Sequence, residues 1–312
     1  MILAVPVQPP CDNRAVKVAV TGASGLVGSV LVPALAAGGH EVVRLVRRDP
    51  SAGEIFWDPP LGTIDSAALE GIDAAIHLSG ATIGRRWTAA RKKEIRASRL
   101  ESTALLAETV ASLEPRPRAL VCAGAVGIYG DRGDEVLTEE SEIGTGFLAD
   151  VCVAWEAAAE PARAAGIRVV GFRHGIVLSR AGGALPRMLT PFRLGVGGRV
   201  GNGKQWWSWV AADDVAAAYL FALEHQDLAG AVNLTSPNPV TNTRFTTALG
   251  RALGRPTVVP VPALAVRTLF GEMGESALLE GQRVLPARLL DEGFAFRYAD
   301  LETALPRALE RT

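Results

Sequence analysis

The chain has 312 residues, room for one large α/β domain with an appended piece. Its 32 Lys+Arg against 33 Asp+Glu give a formal net charge of −1, and 48% of the residues are hydrophobic, so it reads as an ordinary soluble globular protein and not as a nucleic-acid binder driven by its net field. The three cysteines, Cys11, Cys122 and Cys152, are odd in number and lack CxxC spacing, which excludes a disulfide framework and a zinc knuckle and points to a reducing, cytoplasmic setting.

Residues 1–14 carry prolines at 6, 9 and 10 with no basic start, and read as a flexible leader. No apolar run approaches the roughly 18 residues of a membrane span. Short apolar runs at Val16–Thr21, Glu41–Val46, Asp73–Leu78, Ala119–Ala123 and Arg168–Phe172 read as strands, with helical patterns between most of them. The longest helical pattern runs from Thr88, a fitting N-cap, to Leu113, with Ile95, Leu100, Leu105, Leu106 and Val110 at helical spacing. A second runs from about Phe147 to about Gly166. This alternation predicts an α/β chain with a Rossmann-type doubly wound parallel sheet. After Gly182 the texture changes: 195–203 holds five glycines, and prolines at 237, 239, 256, 260 and 262 break any regular pattern. Asp213–His225 again reads as a helix of the main sheet. The expected organisation is a dinucleotide-binding domain over 15–185 with 208–232 returning to it, and a small discontinuous C-terminal α/β domain from 186–207 and 233–312.

The most informative string is the turn after the first strand, where Gly22, Gly25 and Gly28 lead into a helix. The first glycine permits a tight turn, the second lets backbone approach a pyrophosphate, and the third lets helix and strand pack closely. The helix N-terminus offers N–H donors and a partial positive charge to the phosphates. At the end of the second strand, where an NAD protein carries an acid for the ribose, stand Arg47 and Arg48. An arginine fork suits the 2′-phosphate of NADP(H), which a carboxylate would repel. Ser79 and Gly80, at the end of the strand near residue 78, fit close passage beneath a cofactor. His77 reads as a satisfied core residue.

TGASGLVG, HLSG, Arg47 and the string Trp207-Ser-Trp-Val-Ala-Ala-Asp-Asp-Val resemble the extended short-chain dehydrogenases, which include nucleotide-sugar epimerases and dehydratases. The strings at 85–103, 183–198, 201–209, 233–242 and 278–296 narrow the resemblance to the atypical epimerase-family subgroup with a short C-terminal domain, some members of which are labelled cell-division inhibitors. The resemblance spans Val16–Leu309. It implies NADP contacts at Gly22, Ser24, Gly25, Leu26, Val27 and Gly28, at Arg47, at Leu78 and Ser79, at Glu94 and Arg99 on the long helix, and at Val177.

The parent enzymes use a tyrosine with a lysine four residues later. None of Tyr129, Tyr219 and Tyr298 has a lysine at that spacing, and the only lysines are Lys17, Lys92, Lys93 and Lys204. Aligned on Trp155-Glu156, the tyrosine and lysine positions fall on Leu148 and Cys152, and the serine position on Gly124 or Ala125. Tyr129 reads as a packed turn residue, Glu156 as an ordinary helix carboxylate, and Asp213 and Asp214 as helix caps, so no catalytic residue is assigned. The basic residues between Arg85 and Arg99 interleave with Glu94 and Glu101 and read as a solvated helix face, not a nucleic-acid surface. Trp207 and Trp209 share one face of an extended run and Trp206 the other, so one ring is placed to face a cleft. No HExxH, GxSxG or metal-ligand cluster is present.

Two readings stay open. The first is an NADP(H)-binding epimerase or oxidoreductase acting by hydride transfer on a small polar or nucleotide-sugar substrate. The second is a catalytically silent NADP(H)-binding regulator or redox sensor with a protein partner and a link to cell division. Charge on the long helix leaves monomer and homodimer both open.

Overall fold

A computed structural model describes residues 15–310, so the expected leader lies outside the described residues. In chain order the strands are β1 (Lys17–Thr21), β2 (Glu41–Val46), β3 (Glu54–Asp58), β4 (Thr63–Ile64), β5 (Ala74–His77), β6 (Ala119–Ala125), β7 (Val136–Leu137), β8 (Arg168–His174), β9 (Ile176–Leu178), β10 (Trp206–Trp207), β11 (Trp209–Ala211), β12 (Gly230–Leu234), β13 (Val240–Thr241) and β14 (Arg283–Val284). Eight of them form one sheet in the order β12-β8-β6-β5-β1-β2-β3-β4, parallel throughout except for the antiparallel edge pair β3/β4. This is the Rossmann-type doubly wound sheet that the alternation predicts. β3, β4 and β12 are additions to the five strands read from periodicity.

The chain runs outward from β1 to β4, then restarts at β5 on the other side of β1. Such a reversal opens a crevice at the C-terminal ends of the two central strands, where open α/β sheets hold ligands. Alternation along the central strands sends successive side chains to opposite faces. Val18, Val20, Ala74 and Ile76 pack with Leu31 and Leu35 of α1 (Gly28–Ala37). Ala19 and Ala75 pack with Leu106 and Val110 of α2 (Ala89–Ser112). Thr88 caps α2 as expected, its hydroxyl accepting from the Arg91 N–H at 3.2 Å.

The helical stretch expected over 147–166 is two helices, α3 (Phe147–Ala157) and α4 (Glu160–Ala164). Pro161 supplies the reason: it lacks an N–H and its ring clashes with the carbonyl four residues back, that of Ala157. The later helices are α5 (Leu185–Arg193), α6 (Ala212–Glu224), α7 (Asn242–Leu253), α8 (Ala263–Phe270), α9 (Glu272–Gly274), α10 (Ala287–Asp291) and α11 (Leu301–Leu309), with a π-helical turn over Glu275–Leu279. A separate apolar cluster joins α5, α7 and α11 through Leu189, Phe245 and Leu305. Trp207 and Trp209 are both buried in it, which matches their shared face. Among the described residues no helix is long and apolar enough to cross a membrane.

His77 is the satisfied core residue expected. Its Nδ1 lies 2.8 Å from the Thr21 hydroxyl and its Nε2 3.0 Å from the Ser102 hydroxyl. Ser102 spends its hydroxyl proton on the Ser98 carbonyl at 2.7 Å, so it accepts from Nε2–H, and Nδ1 of the neutral ring accepts from the Thr21 hydroxyl. Burial pushes the ring's pKa down to about 3, and that of His174 down to about 4. Both rings are neutral in the fold but protonate near pH 6.5 in the unfolded chain. Their contribution is therefore complete above pH 6.5 and is lost as pH falls towards 4 and then 3, with a slope approaching about 1.4 kcal/mol per pH unit for each ring. The expected result is an unfolding midpoint in urea that falls steadily below pH 6.5, and less steeply in His77→Gln.

Candidate active site

The glycine loop sits at the reversal of the sheet, between β1 and α1. Gly22 has φ +66°, and a Cβ there would lie 2.8 Å from the Leu78 carbonyl carbon and 3.0 Å from the Ser79 nitrogen. The turn therefore presses directly on the backbone after β5, which brings Gly22, Leu78 and Ser79 together. A Cβ on Gly28 would lie 2.4 Å from the Gly22 oxygen, so helix and turn also touch backbone to backbone. Gly25 differs: a Cβ there meets only the Gly22 oxygen, at 3.1 Å, and its other side is open. The Gly25 N–H bonds back to Gly22 O at 2.9 Å, which closes the turn. Leu26, Val27 and Gly28 follow at the start of α1, where the first N–H groups of a helix have no partner within it.

At the end of β2 the two arginines separate. Arg48 is bound to Glu54 at 2.6 Å and to the Asp49 carbonyl at 2.9 Å. Arg47 is exposed and makes no hydrogen bond or ion pair among the described residues. Glu94 is exposed on α2 and paired with Arg91. Val177 is buried in β9, its backbone paired with Val210. Arg99 turns inward: its guanidinium lies over Trp155 at 4.9 Å, donates to the Ala81 and Ile95 carbonyls at 3.0 and 3.1 Å, and lies against Gly80. Beside it opens a cavity of about 660 Å³, lined by Leu26 from the loop, Ala125 at the end of β6, Leu148 and Cys152 on α3, and Trp206. Its far wall is the segment 272–282, which periodicity did not single out.

Residues 18–234 match the model of the NAD dependent epimerase/dehydratase family, and residues 261–308 match a domain of unknown function, DUF1731. The chain belongs to the NAD-dependent epimerase/dehydratase family. It is 46% identical over 296 residues to an epimerase family protein of Mycobacterium bovis, covering 94% of this chain and 98% of that one. It is 38% identical over 294 residues to the human epimerase family protein SDR39U1, covering 93% and 98% of the two chains. The crystal structure of human SDR39U1 (isoform 2) with NADPH matches at a TM-score of 0.86 and 36% identity, covering 94% of this chain and 98% of that chain. A nucleoside-diphosphate sugar epimerase from Corynebacterium glutamicum matches at a TM-score of 0.81 and 40% identity, covering 96% of this chain and 59% of that chain.

Within this epimerase-family fold, Ala125, Leu148 and Cys152 line one cavity, and none of the three is equipped to relay a proton at neutral pH. Burial holds the Cys152 thiol up at about 12. Tyr129 is fully buried away from the cavity, its hydroxyl donating to Asn233 Oδ1 at 2.7 Å and accepting from Arg173 at 2.8 Å. Glu156 is not an ordinary helix carboxylate: Arg173 grips both its oxygens, at 2.8 and 2.9 Å, which ties α3 to β8. The Asp pair caps nothing. Asp214 is buried and accepts the N–H groups of Arg297 and Tyr298 at 2.8 and 3.0 Å, and Asp213 binds Arg307 at 2.8 Å, so both tether the C-terminal segment to α6.

The basic cluster is likewise more than a solvated face. Arg86, just before α2, donates to the Thr268 carbonyl of α8 at 2.8 Å, and Lys92 pairs with Glu272, which fastens α2 to the far wall of the cavity. Trp206 and Trp207 both line the cavity, and Trp206 is the more exposed of the two. Trp206 is half-buried, donates to Asp134 at 2.7 Å and carries Arg283 over its ring at 4.3 Å.

Proposed function

We propose that this chain binds NADP(H) along the glycine loop and carries out hydride transfer on a small polar or nucleotide-sugar substrate in the adjoining cavity. The observation that carries the reading is Gly25. Gly22 and Gly28 are held to glycine by protein backbone, whereas the space beside Gly25 is open at a helix N-terminus, which is the room a pyrophosphate needs. Arg47 fits the 2′-phosphate, being exposed and uncommitted beside an Arg48 already spent on Glu54. When bound, the nicotinamide supplies the hydride chemistry. Leu26 and Arg99 then hold the cofactor end of the cavity, and the aromatic wall of Trp155 and Trp206 excludes water and orients a substrate ring. The NADPH in the human relative's structure supports the cofactor assignment, and the sugar-nucleotide name of the Corynebacterium protein supports the substrate class.

The test is a thermal-shift titration with NADPH, NADP⁺ and NADH on the wild type and Arg47→Ala, since a ligand of the native state raises apparent stability. NADPH is expected to stabilise the wild type most, and Arg47→Ala to reduce the preference over NADH about tenfold, the loss of one charge-assisted contact. No shift with any dinucleotide would remove the reading. A silent regulator is favoured by the apolar Leu148 at the tyrosine position. It requires NADPH and NADP⁺ to favour different conformations.

A further inference from the structure

Hydride transfer at an alcohol or carbonyl carbon needs a group that takes or gives a proton, and the positions that hold it in the parent enzymes are Leu148 and Cys152 here. The remaining ionisable side chains of the cavity wall can be taken in turn. His174 is engaged at both ring nitrogens, Nδ1 with the Gly124 carbonyl at 3.1 Å and Nε2 with the Tyr219 hydroxyl at 3.4 Å. Arg99 is a permanent cation. Glu272 is paired with Lys92, and Glu275 receives a two-point fork from Arg267 at 2.5 and 2.9 Å, which holds its carboxyl below the usual range. Glu280 remains. It lines the same cavity as Ala125, Leu148 and Cys152 and makes no ion pair among the described residues.

Its backbone is firmly set. The Glu280 N–H closes the π-helical turn on the Glu275 carbonyl at 2.9 Å, and the next residue, Gly281, lies so close to Trp206 that a Cβ there would be 2.3 Å from the Trp206 oxygen. Gln205 donates to the Leu278 carbonyl at 2.7 Å, which pins the same C-terminal end of the turn. A π-helical turn at a cavity wall is a recurrent feature of functional sites.

We propose that Glu280 is the group that exchanges a proton with the substrate in this cavity, an inference that rests on the hydride-transfer reading above. In the oxidative direction the carbinol C–H bond breaks and its hydride passes to NADP⁺. The O–H bond breaks, its proton passes to the Glu280 carboxylate, and the C=O bond forms; reduction reverses each transfer. Burial is the main influence raising the Glu280 carboxyl above its ordinary range, with Asp131, Glu275 and Glu272 adding to it and the Ser276 hydroxyl opposing. The charges around it are thus Asp131 on the loop before β7, and Glu272 and Glu275 with their partners Lys92 and Arg267. A carboxylate shifted in this direction is a better proton acceptor than an ordinary glutamate.

Two measurements on the NADP⁺-loaded protein test this. In a carbon-13 titration of glutamate carboxyls, the resonance missing from Glu280→Gln is expected to titrate above the ordinary glutamate range. An ordinary midpoint overturns the proposal. In NADPH oxidation with 9,10-phenanthrenequinone and keto-sugar nucleotides, Glu280→Gln is expected to retain NADPH binding, lose about a hundredfold in kcat and lose one limb of the pH profile, with Glu280→Asp restoring part. Wild-type kcat in Glu280→Gln overturns the proposal and leaves the cofactor reading intact. Failure of the wild type to bind NADPH overturns the cofactor reading and the proposal together. If no probe is turned over, the titration alone decides.

Discussion

Gly28→Ala is expected to abolish measurable NADPH binding and to destabilise the chain without any ligand, whereas Gly25→Ala is expected to lose the ligand alone. The added methyl on Gly28 would fall 2.4 Å from the Gly22 oxygen and 2.6 Å from two backbone atoms of Ala23. No flexible side chain is available to yield there, so the turn or the start of α1 must move. Overpacking of this kind costs roughly 1–3 kcal/mol, and displacing the turn also misdirects the helix N-terminus. The methyl on Gly25 meets only one atom at 3.1 Å and points into open space, so urea unfolding of that variant should match the wild type within about 0.5 kcal/mol. Its NADPH affinity, measured by calorimetry, should fall about a hundredfold, because the methyl occupies the room that a diphosphate would use. Wild-type affinity in Gly25→Ala would show that the loop is not the phosphate cradle.

The glycine loop was legible in the sequence because its chemistry is local: three glycines, a strand before them and a helix after. The Thr88 cap and the central strands were legible for the same reason. β3 was harder to see, since Glu54 and Asp58 bound it and it lies near the sheet's edge with only alternate residues buried. β12 begins at Gly230 with φ +77° and carries a polar Asn233, so it breaks the apolar run that identified its neighbours. The far wall of the cavity entered the reading only as part of the string 278–296 that carries the resemblance, and its place in the site was not legible. Glu272 meets Lys92 across 180 positions, and Glu280 shares the cavity with Leu148 from more than a hundred positions away, and no periodicity reports such pairing. Arg173 did leave a sign: a charged residue inside the apolar strand Arg168–His174 demands a buried partner, and α3 supplies it in Glu156.

That pair makes the second large prediction. Arg173→Met should destabilise the chain by about 3 kcal/mol, near the lower end for breaking a buried pair, because about a quarter of the Glu156 side chain still reaches water. The cost comes chiefly from what is left behind: a carboxylate without its fork, and a Tyr129 hydroxyl reduced to Asn233 alone. Removing the stranded charge as well, in Arg173→Met with Glu156→Leu, should recover most of the loss, since well-packed apolar side chains often replace a buried ion pair without penalty. Urea unfolding of the two single variants and the double variant closes the cycle, and a coupling below about 0.5 kcal/mol would mean that the pair does not bind α3 to β8. The pair also has a consequence for the site. α3 carries Leu148 and Cys152 into the cavity, and Arg173–Glu156 is a charged link between that helix and the sheet. Apolar packing has no comparable directionality, so the double variant should regain stability while its α3 amides, followed by hydrogen exchange, remain less protected than in the wild type.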